Sequence, residues 1–238
     1  MPTIAFEGRH CSGQREPGRL VAKELGFDFV DRIMLAEIAK KVGSTVEAVS
    51  MRKLKKPSMI DMFAKGINQI LNNSPTVGVG GDPYFGPGIE NVMSKEFYEL
   101  DETIIKNPED VDYNRMIEAT KEVIKDISDL GKVLVISRGA SAILKQKENV
   151  LRVFFIANED DRIKRAKSMH NLESDQDAVE LLRHADHAQN EYFMKAFNLD
   201  FDDQSMYHLI LNTSNLDPEE CSNIILNLVN NKLTLNKG

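Results

Sequence analysis

Eight consecutive residues, Gly8-Arg9-His10-Cys11-Ser12-Gly13-Gln14-Arg15, have the types and spacing suited to gripping a phosphate. Glycines let the backbone turn tightly, successive N–H groups then point into the concavity, and a following helix presents its positive dipole end to an anion. Such a nest holds phosphate without a lysine. Against the pattern G-x-x-x-x-G-K-[ST], both glycines, Gly8 and Gly13, keep their spacing. Gln14 stands where the lysine belongs and Arg15 where a magnesium-binding hydroxyl belongs. Arg15 supplies a planar cation with several donors for phosphate oxygens. With no hydroxyl there, magnesium must be held otherwise. Cys11 is either a reactive thiol at a helix N-terminus or a small residue filling a tight turn. The same strand, turn and helix also serve as plain architecture with no ligand.

The elements that must position this turn are legible on both sides of it. The apolar run Ile4 to Phe6 predicts a strand entering the turn, and Glu16 to Leu25 a helix leaving it, with Pro17 early in the helix and Gly26 as its stop. Further β-rich runs at Phe27 to Val30, Lys132 to Ile136, Leu151 to Ile156 and Tyr207 to Leu211 alternate with helical periodicity. This pattern predicts an α/β fold with a parallel sheet. The runs VLVI and LRVFFI are nearly continuous, as central strands covered by helices on both faces must be. Helices are expected over Ile33 to Val42, Arg115 to Leu130 and Ser174 to Phe197, the last opened by the Ser174-x-x-Asp177 box.

At 238 residues, with 42% hydrophobic and 28% charged composition, the chain can bury a substantial core. A net charge of -7 argues against broad binding to nucleic acid or to a membrane surface. No apolar run approaches a membrane span, and MPTIAFEG enters a strand without a signal-type apolar core, so a cytoplasmic location is expected. Cys11 and Cys221 make neither a metal-ligand pattern nor a disulfide framework. His184 and His187, three apart on one helix, lack a third ligand at metal-site spacing, so no metal site is predicted there. The basic group Arg52, Lys53, Lys55 and Lys56 is either a solvated helix end or a phosphate-facing patch. Residues 74–88, SPTVGVGGDPYFGPG, are too rich in Gly and Pro for a helix and read as a long connection or lid.

Taken with the turn, three later segments give the chain a family resemblance. SRGASAIL after the strand VLVI, FFIANEDDRIKRA, and LILNTSNL near the C-terminus occur in an order and spacing similar to the cytidylate kinase-like family, a branch of the P-loop nucleoside monophosphate kinases. The resemblance covers residues 3–50 and roughly 113–229. It implies a five-stranded parallel sheet with helices on both faces in a single domain over residues 1–238. It also implies an acceptor-side insertion at 44–112, containing the 74–88 loop, and a helical lid at 167–206.

What the resemblance implies for chemistry is ATP-dependent phosphoryl transfer, with Mg2+, to a nucleoside monophosphate or another small phosphorylated acceptor. Members of this branch often write the turn Gly-Ser-Gly-Gly-Arg, so Arg15 falls on their arginine; Ser12 and Gly13 match, while Cys11 and Gln14 depart. Gly8 and the backbone from Cys11 to Arg15 would hold donor phosphates. Arg138, in Ser137-Arg138-Gly139-Ala140, and Asp31 would serve the acceptor, while by residue type Asp31 equally suits capping the next helix. Arg162, Arg165 and Arg183 would supply lid-side charge. The lid segment Arg183-His184-Ala185-Asp186-His187-Ala188-Gln189 lacks basic residues that the family carries there, and neutral histidines do not replace fixed charges. This thinning, with Gln14, keeps open a second reading: a catalytically impaired pseudokinase that acts as a nucleotide-binding or protein-interaction module. Nucleic acid and membrane are not expected partners, and a homo-oligomer is compatible with the sequence.

Overall fold

The structure is a computed structural model, which describes residues 2–35, Glu96 and 113–235. The sequence expectations for the basic group at 52–56, the loop at 74–88 and nearly all of the 44–112 segment fall outside these residues, as does most of the Ile33 to Val42 helix. The chain divides into two compact units, one comprising residues 1–29 with 132–238 and the other residues 30–131.

The first unit is built on strands whose side chains are almost all apolar. Strand β1 (Thr3–Gly8) is buried along its whole length. It pairs in parallel with β3 (Val133–Ile136), Ile4 opposite Leu134, and with β4 (Val150–Ile156), Ile4 opposite Leu151. β4 pairs in parallel with β5 (Leu209–Asn212). With β2 (Asp28–Val30) the sheet has the order β2-β3-β1-β4-β5. The two strands read as near-continuous apolar runs, β3 and β4, therefore lie inside the sheet on either side of β1.

Successive strand residues face opposite ways. Ile4 and Phe6 of β1, Leu134 and Ile136 of β3, and Leu151, Val153 and Phe155 of β4 form one core. It includes Val21 and Ala22 of helix α1 (Arg15–Leu25), and Cys221, Ile225 and Val229 of a C-terminal helix, Pro218–Leu235, that packs against α1. Burying a side chain the size of Phe6 or Ile4 contributes about 1.5–3 kcal/mol. On the opposite face Phe154 stacks on Tyr207 with ring centroids 4.5 Å apart and meets Phe201 edge-on at 5.2 Å.

Helix ends follow local chemistry. α1 stops at Gly26, whose φ of 63° lets its N–H turn back to Ala22 O and Lys23 O. In the second unit α2 (Tyr113–Leu130) ends at Gly131, φ 70°. A short helix, α3 (Ala140–Ile143), follows β3, and α4 (Glu159–His170) follows β4. α5 (Asp175–Phe197) begins at Ser174, whose hydroxyl accepts the Asp177 N–H at 3.0 Å, as the capping box predicts. The C-terminal helix is α6 (Pro218–Leu235).

The strand order places a topological switch at the carboxyl ends of β1 and β4: the chain leaves β1 toward β2 and leaves β4 toward β5. Sheets of this kind bind ligands in the crevice beyond such a switch. The Gly8–Arg15 turn follows β1 there, and α4 follows β4.

Candidate functional site

The turn is shaped by residues held in the left-handed region. Cys11 has φ 62° and Gly13 φ 82°, so the chain reverses between Gly8 and α1. A Cβ on Gly13 would sit 2.9 Å from Arg165 Nη1, and one on Gly8 would sit 2.5 Å from Ser12 Oγ, so both positions demand close backbone approach. Ser12 is fully buried; its N–H donates to Arg9 O at 3.0 Å and its hydroxyl to Gln14 Oε1 at 3.0 Å. Gln14 takes the N-cap place of α1 with no side-chain cap. Among the described residues, the N–H groups of Gly13 and Gln14 meet no acceptor. They lie at the positive end of α1, an arrangement suited to anionic oxygens. Arg15, the first residue of α1, is exposed beside them.

Two arginines from α4 hold the turn in place. Arg165 donates to Thr213 Oγ1 at 2.8 Å, Thr213 O at 2.9 Å and Cys11 O at 3.3 Å, while Thr213 Oγ1 donates to Ser12 O at 2.7 Å. Residues 212–214, Asn-Thr-Ser at the end of β5, are thereby tied to the turn. Arg162 donates from Nε to His10 O at 2.9 Å and clamps Asp186 of α5 through both terminal nitrogens, at 3.0 and 2.7 Å.

α5 lies against the other side of the turn. Asp186 also lies 3.9 Å from Arg9, which bonds Asn190 and Asp202 and sits over the Phe201 ring at 5.5 Å. Buried Gln189 donates to Gly8 O at 3.2 Å, and Tyr192 donates to Arg138 O at 3.3 Å. The predicted lid segment thus contacts the turn through Asp186 and Gln189, whereas Arg183 of the same helix is exposed and forms no ion pair among the described residues.

Arg138 and Glu7 form a buried centre that sequence reasoning only half found. Three successive residues after β3, Ser137, Arg138 and Gly139, have φ of 70°, 63° and 75°, a left-handed stretch that costs about 1–2 kcal/mol at each non-glycine residue. It leaves Arg138 only 2% exposed, its charge acting on the fully buried Glu7. Burial pushes the Glu7 carboxyl up to about 8, although the N–H groups of Gly139, Ala140 and Ser141 and the Arg138 charge pull it down. Neither Glu7 oxygen makes a well-formed hydrogen bond, so those N–H groups act by proximity and desolvation prevails. A charged residue inside an apolar strand, TIAFEG, was the visible signal for Glu7. Arg138 at this depth meets an external phosphate only if its neighbours move.

Asp31 lies in the second unit, where its Oδ1 accepts the N–H groups of Ile33 and Met34, each at 3.1 Å. It caps the helical residues 32–35, the alternative role its type suggested. The structure also joins residues that no spacing connected. His10 Nε2 lies 3.0 Å from His170 Nε2, 160 positions along, and the Cys11 thiol is part of the same cluster. A cavity at the opposite, N-terminal end of the strands, lined by residues including Thr3, Val150, Arg152 and His208, lies away from the turn. Among the described residues no helix is long and apolar enough to cross a membrane.

The sequence pattern over residues 3–215 matches that of the Cytidylate kinase-like family. The chain belongs to that family. Two curated cytidylate kinases are similar at low identity: that of Sulfolobus acidocaldarius, 29% identical over 82 residues, covers 34% of this chain and 44% of its own length. That of Thermoplasma volcanium, 28% identical over 127 residues, covers 50% of this chain and 66% of its own. Both matches fall short of two thirds of the relative's length. A crystal structure of an uncharacterized protein from Eubacterium ventriosum shares the fold, with a TM-score of 0.61 at 12% identity over 97% of this chain and 99% of that one.

Proposed function

We propose that this cytidylate kinase-like protein binds ATP at the Gly8–Arg15 turn and transfers its γ-phosphoryl group to a nucleoside monophosphate or another small phosphorylated acceptor. The observation that carries the reading is the unanswered pair of N–H groups, Gly13 and Gln14, at the start of α1 beside an exposed Arg15. Phosphate oxygens supply the acceptors those donors lack, and Arg15 adds charge that a backbone nest cannot.

In this reading the acceptor's phosphate oxygen attacks the γ-phosphorus, the bond to the β,γ-bridging oxygen breaks, and ADP leaves with that oxygen. Catalysis of such a transfer is positioning plus electrostatic stabilisation. Arg162 and Arg165 position the turn through the carbonyls of His10 and Cys11, and Arg162 can be redirected to phosphate if Asp186 releases it. Arg183 is the exposed lid-side charge. Arg138 and Asp31 are the acceptor-side candidates, and Arg138 requires a rearrangement to serve. For Mg2+ the turn itself does not fit: Arg15 offers no oxygen, the Thr213 hydroxyl already accepts from the Arg165 cation, and Ser12 is fully buried. The metal would enter on the nucleotide's own phosphates, the usual manner for this ion.

One observation favours the pseudokinase reading. Arg162 is neutralised by Asp186 and Arg165 is taken up by Thr213 and Cys11 O, so neither faces an open phosphate site as it stands. Formation of ADP from ATP, measured with Mg2+ across a panel of nucleoside monophosphates beginning with CMP, separates the two. Acceptor-dependent ADP supports the kinase; ATP binding with no ADP above the rate without acceptor supports the pseudokinase.

A further inference from the structure

We infer that His10, Cys11 and His170 form a binding site for a borderline or soft divalent metal ion of the zinc type, on the flank of the phosphate turn. The His10 and His170 Nε2 atoms are 3.0 Å apart, and each residue's ligand atom lies within 4.8 Å of the other two. Zinc–nitrogen bonds of about 2.0–2.1 Å and zinc–sulfur bonds of about 2.3 Å put tetrahedral ligands roughly 3.4–3.7 Å from one another. Small rotations of the three side chains therefore close the set around one ion, leaving a fourth position open.

The donor set selects the metal class. Two imidazoles and a thiolate suit zinc, and a set with no carboxylate or carbonyl donor is wrong for magnesium or calcium. The frame is fixed in advance: α4 carries His170 as its last residue, and the same helix holds the ligands' backbone through Arg162 to His10 O and Arg165 to Cys11 O. A metal here would also account for Cys11, a non-glycine residue held at φ 62° and buried in the turn. The site does not depend on whether the protein binds nucleotide. If it does, metal on His10 and Cys11 stiffens the turn that would receive the phosphates.

The test is a titration of the reduced full-length protein with Co2+, followed by displacement with Zn2+. The expected result is one equivalent of Co2+ with thiolate-to-cobalt charge-transfer absorption, unchanged in Cys221→Ser and abolished in Cys11→Ser. In His170→Ala, which alters a partly exposed helix end rather than the buried turn, affinity should fall at least about tenfold, since even second-shell losses cost that much. Circular dichroism on each variant separates loss of ligand from loss of fold. Absence of the absorption at millimolar Co2+ would overturn the site and leave a plain histidine–histidine hydrogen bond. Absorption that persists unweakened in His170→Ala, or vanishes in Cys221→Ser, would overturn it equally.

Discussion

Arg162 and Arg165 on α4 differ from Arg15 and Arg183 in a way their sequence surroundings do not reveal. The α4 pair is partly buried, and each arginine makes three hydrogen bonds to the turn or to residues that brace it. Arg15 and Arg183 are exposed, one opening α1 and the other on α5. All four are arginines within segments that resemble a kinase. Charge near the Gly8–Arg15 turn thus divides into two kinds of work: shaping the backbone, and remaining available to whatever enters. Shaping should register in stability, and meeting a ligand should register in affinity.

The largest expected effect breaks the first half of this division. Arg165→Ala leaves Thr213 Oγ1, Thr213 O and Cys11 O without their charged donor, and hydrogen bonds to charged groups contribute about 1.5–3 kcal/mol each. Unfolding in denaturant should show a loss of about 2–4 kcal/mol; a loss within error of zero would mean Arg165 does not brace the turn. Gly13→Ala comes next, because its Cβ meets Arg165 at 2.9 Å in a left-handed backbone. A destabilisation of about 1–3 kcal/mol is expected from strain of this kind, with weaker nucleotide binding; wild-type behaviour on both measures would contradict the geometry.

Arg15→Ala sharpens the second half. It should lower ATP affinity about tenfold, equivalent to about 1.4 kcal/mol, while the unfolding midpoint stays put. A shifted midpoint with unchanged affinity would reverse the roles assigned to the two pairs. Asp186→Asn probes the boundary between them. Releasing Arg162 from its carboxylate should raise ATP affinity several-fold if that arginine can turn to phosphate, and should leave affinity unchanged or lower if Arg162 only shapes the turn.

Glu7 acts through pH rather than through a contact with the turn. Its folded-state carboxyl lies near 8 against an ordinary value of 4.5, so between these pH values the folded state holds a proton that the unfolded chain has released. Stability attributable to this group is therefore fully present below about pH 4.5 and declines as pH rises toward 8, by at most about 1.4 kcal/mol per pH unit. Glu7→Gln should flatten that part of the stability profile and gain most over wild type near pH 8. An identical slope in both proteins would show that Glu7 is not buried in this state.

Much of the fold was readable because it rests on short-range chemistry. Continuous apolar runs marked the strands of the sheet, Gly26 and Gly131 marked helix ends, and Ser174 with Asp177 marked the start of α5. The turn was readable for the same reason, as glycine spacing between a strand and a helix. The bracing was not. Nothing local to Arg162 indicates Asp186 or His10 O, and nothing local to Arg165 indicates Thr213, because those partners arrive from α5 and β5 through the topology of the sheet. Glu7 was passed over because a pattern of apolar residues identifies a strand without saying what the one charged residue in it faces. Asp31 shows the reverse case, where its type allowed two roles and the local one, capping the residues after it, is the one the structure displays.

Whether the Gly8–Arg15 turn holds phosphate is decided by calorimetric titration of the purified protein with ATP, with and without Mg2+. Saturable binding that Mg2+ strengthens and Arg15→Ala weakens is the predicted result. No heat of binding at millimolar ATP in either condition would contradict phosphate binding there and mean that the turn, with its arginine bracing, is maintained for some purpose other than nucleotide.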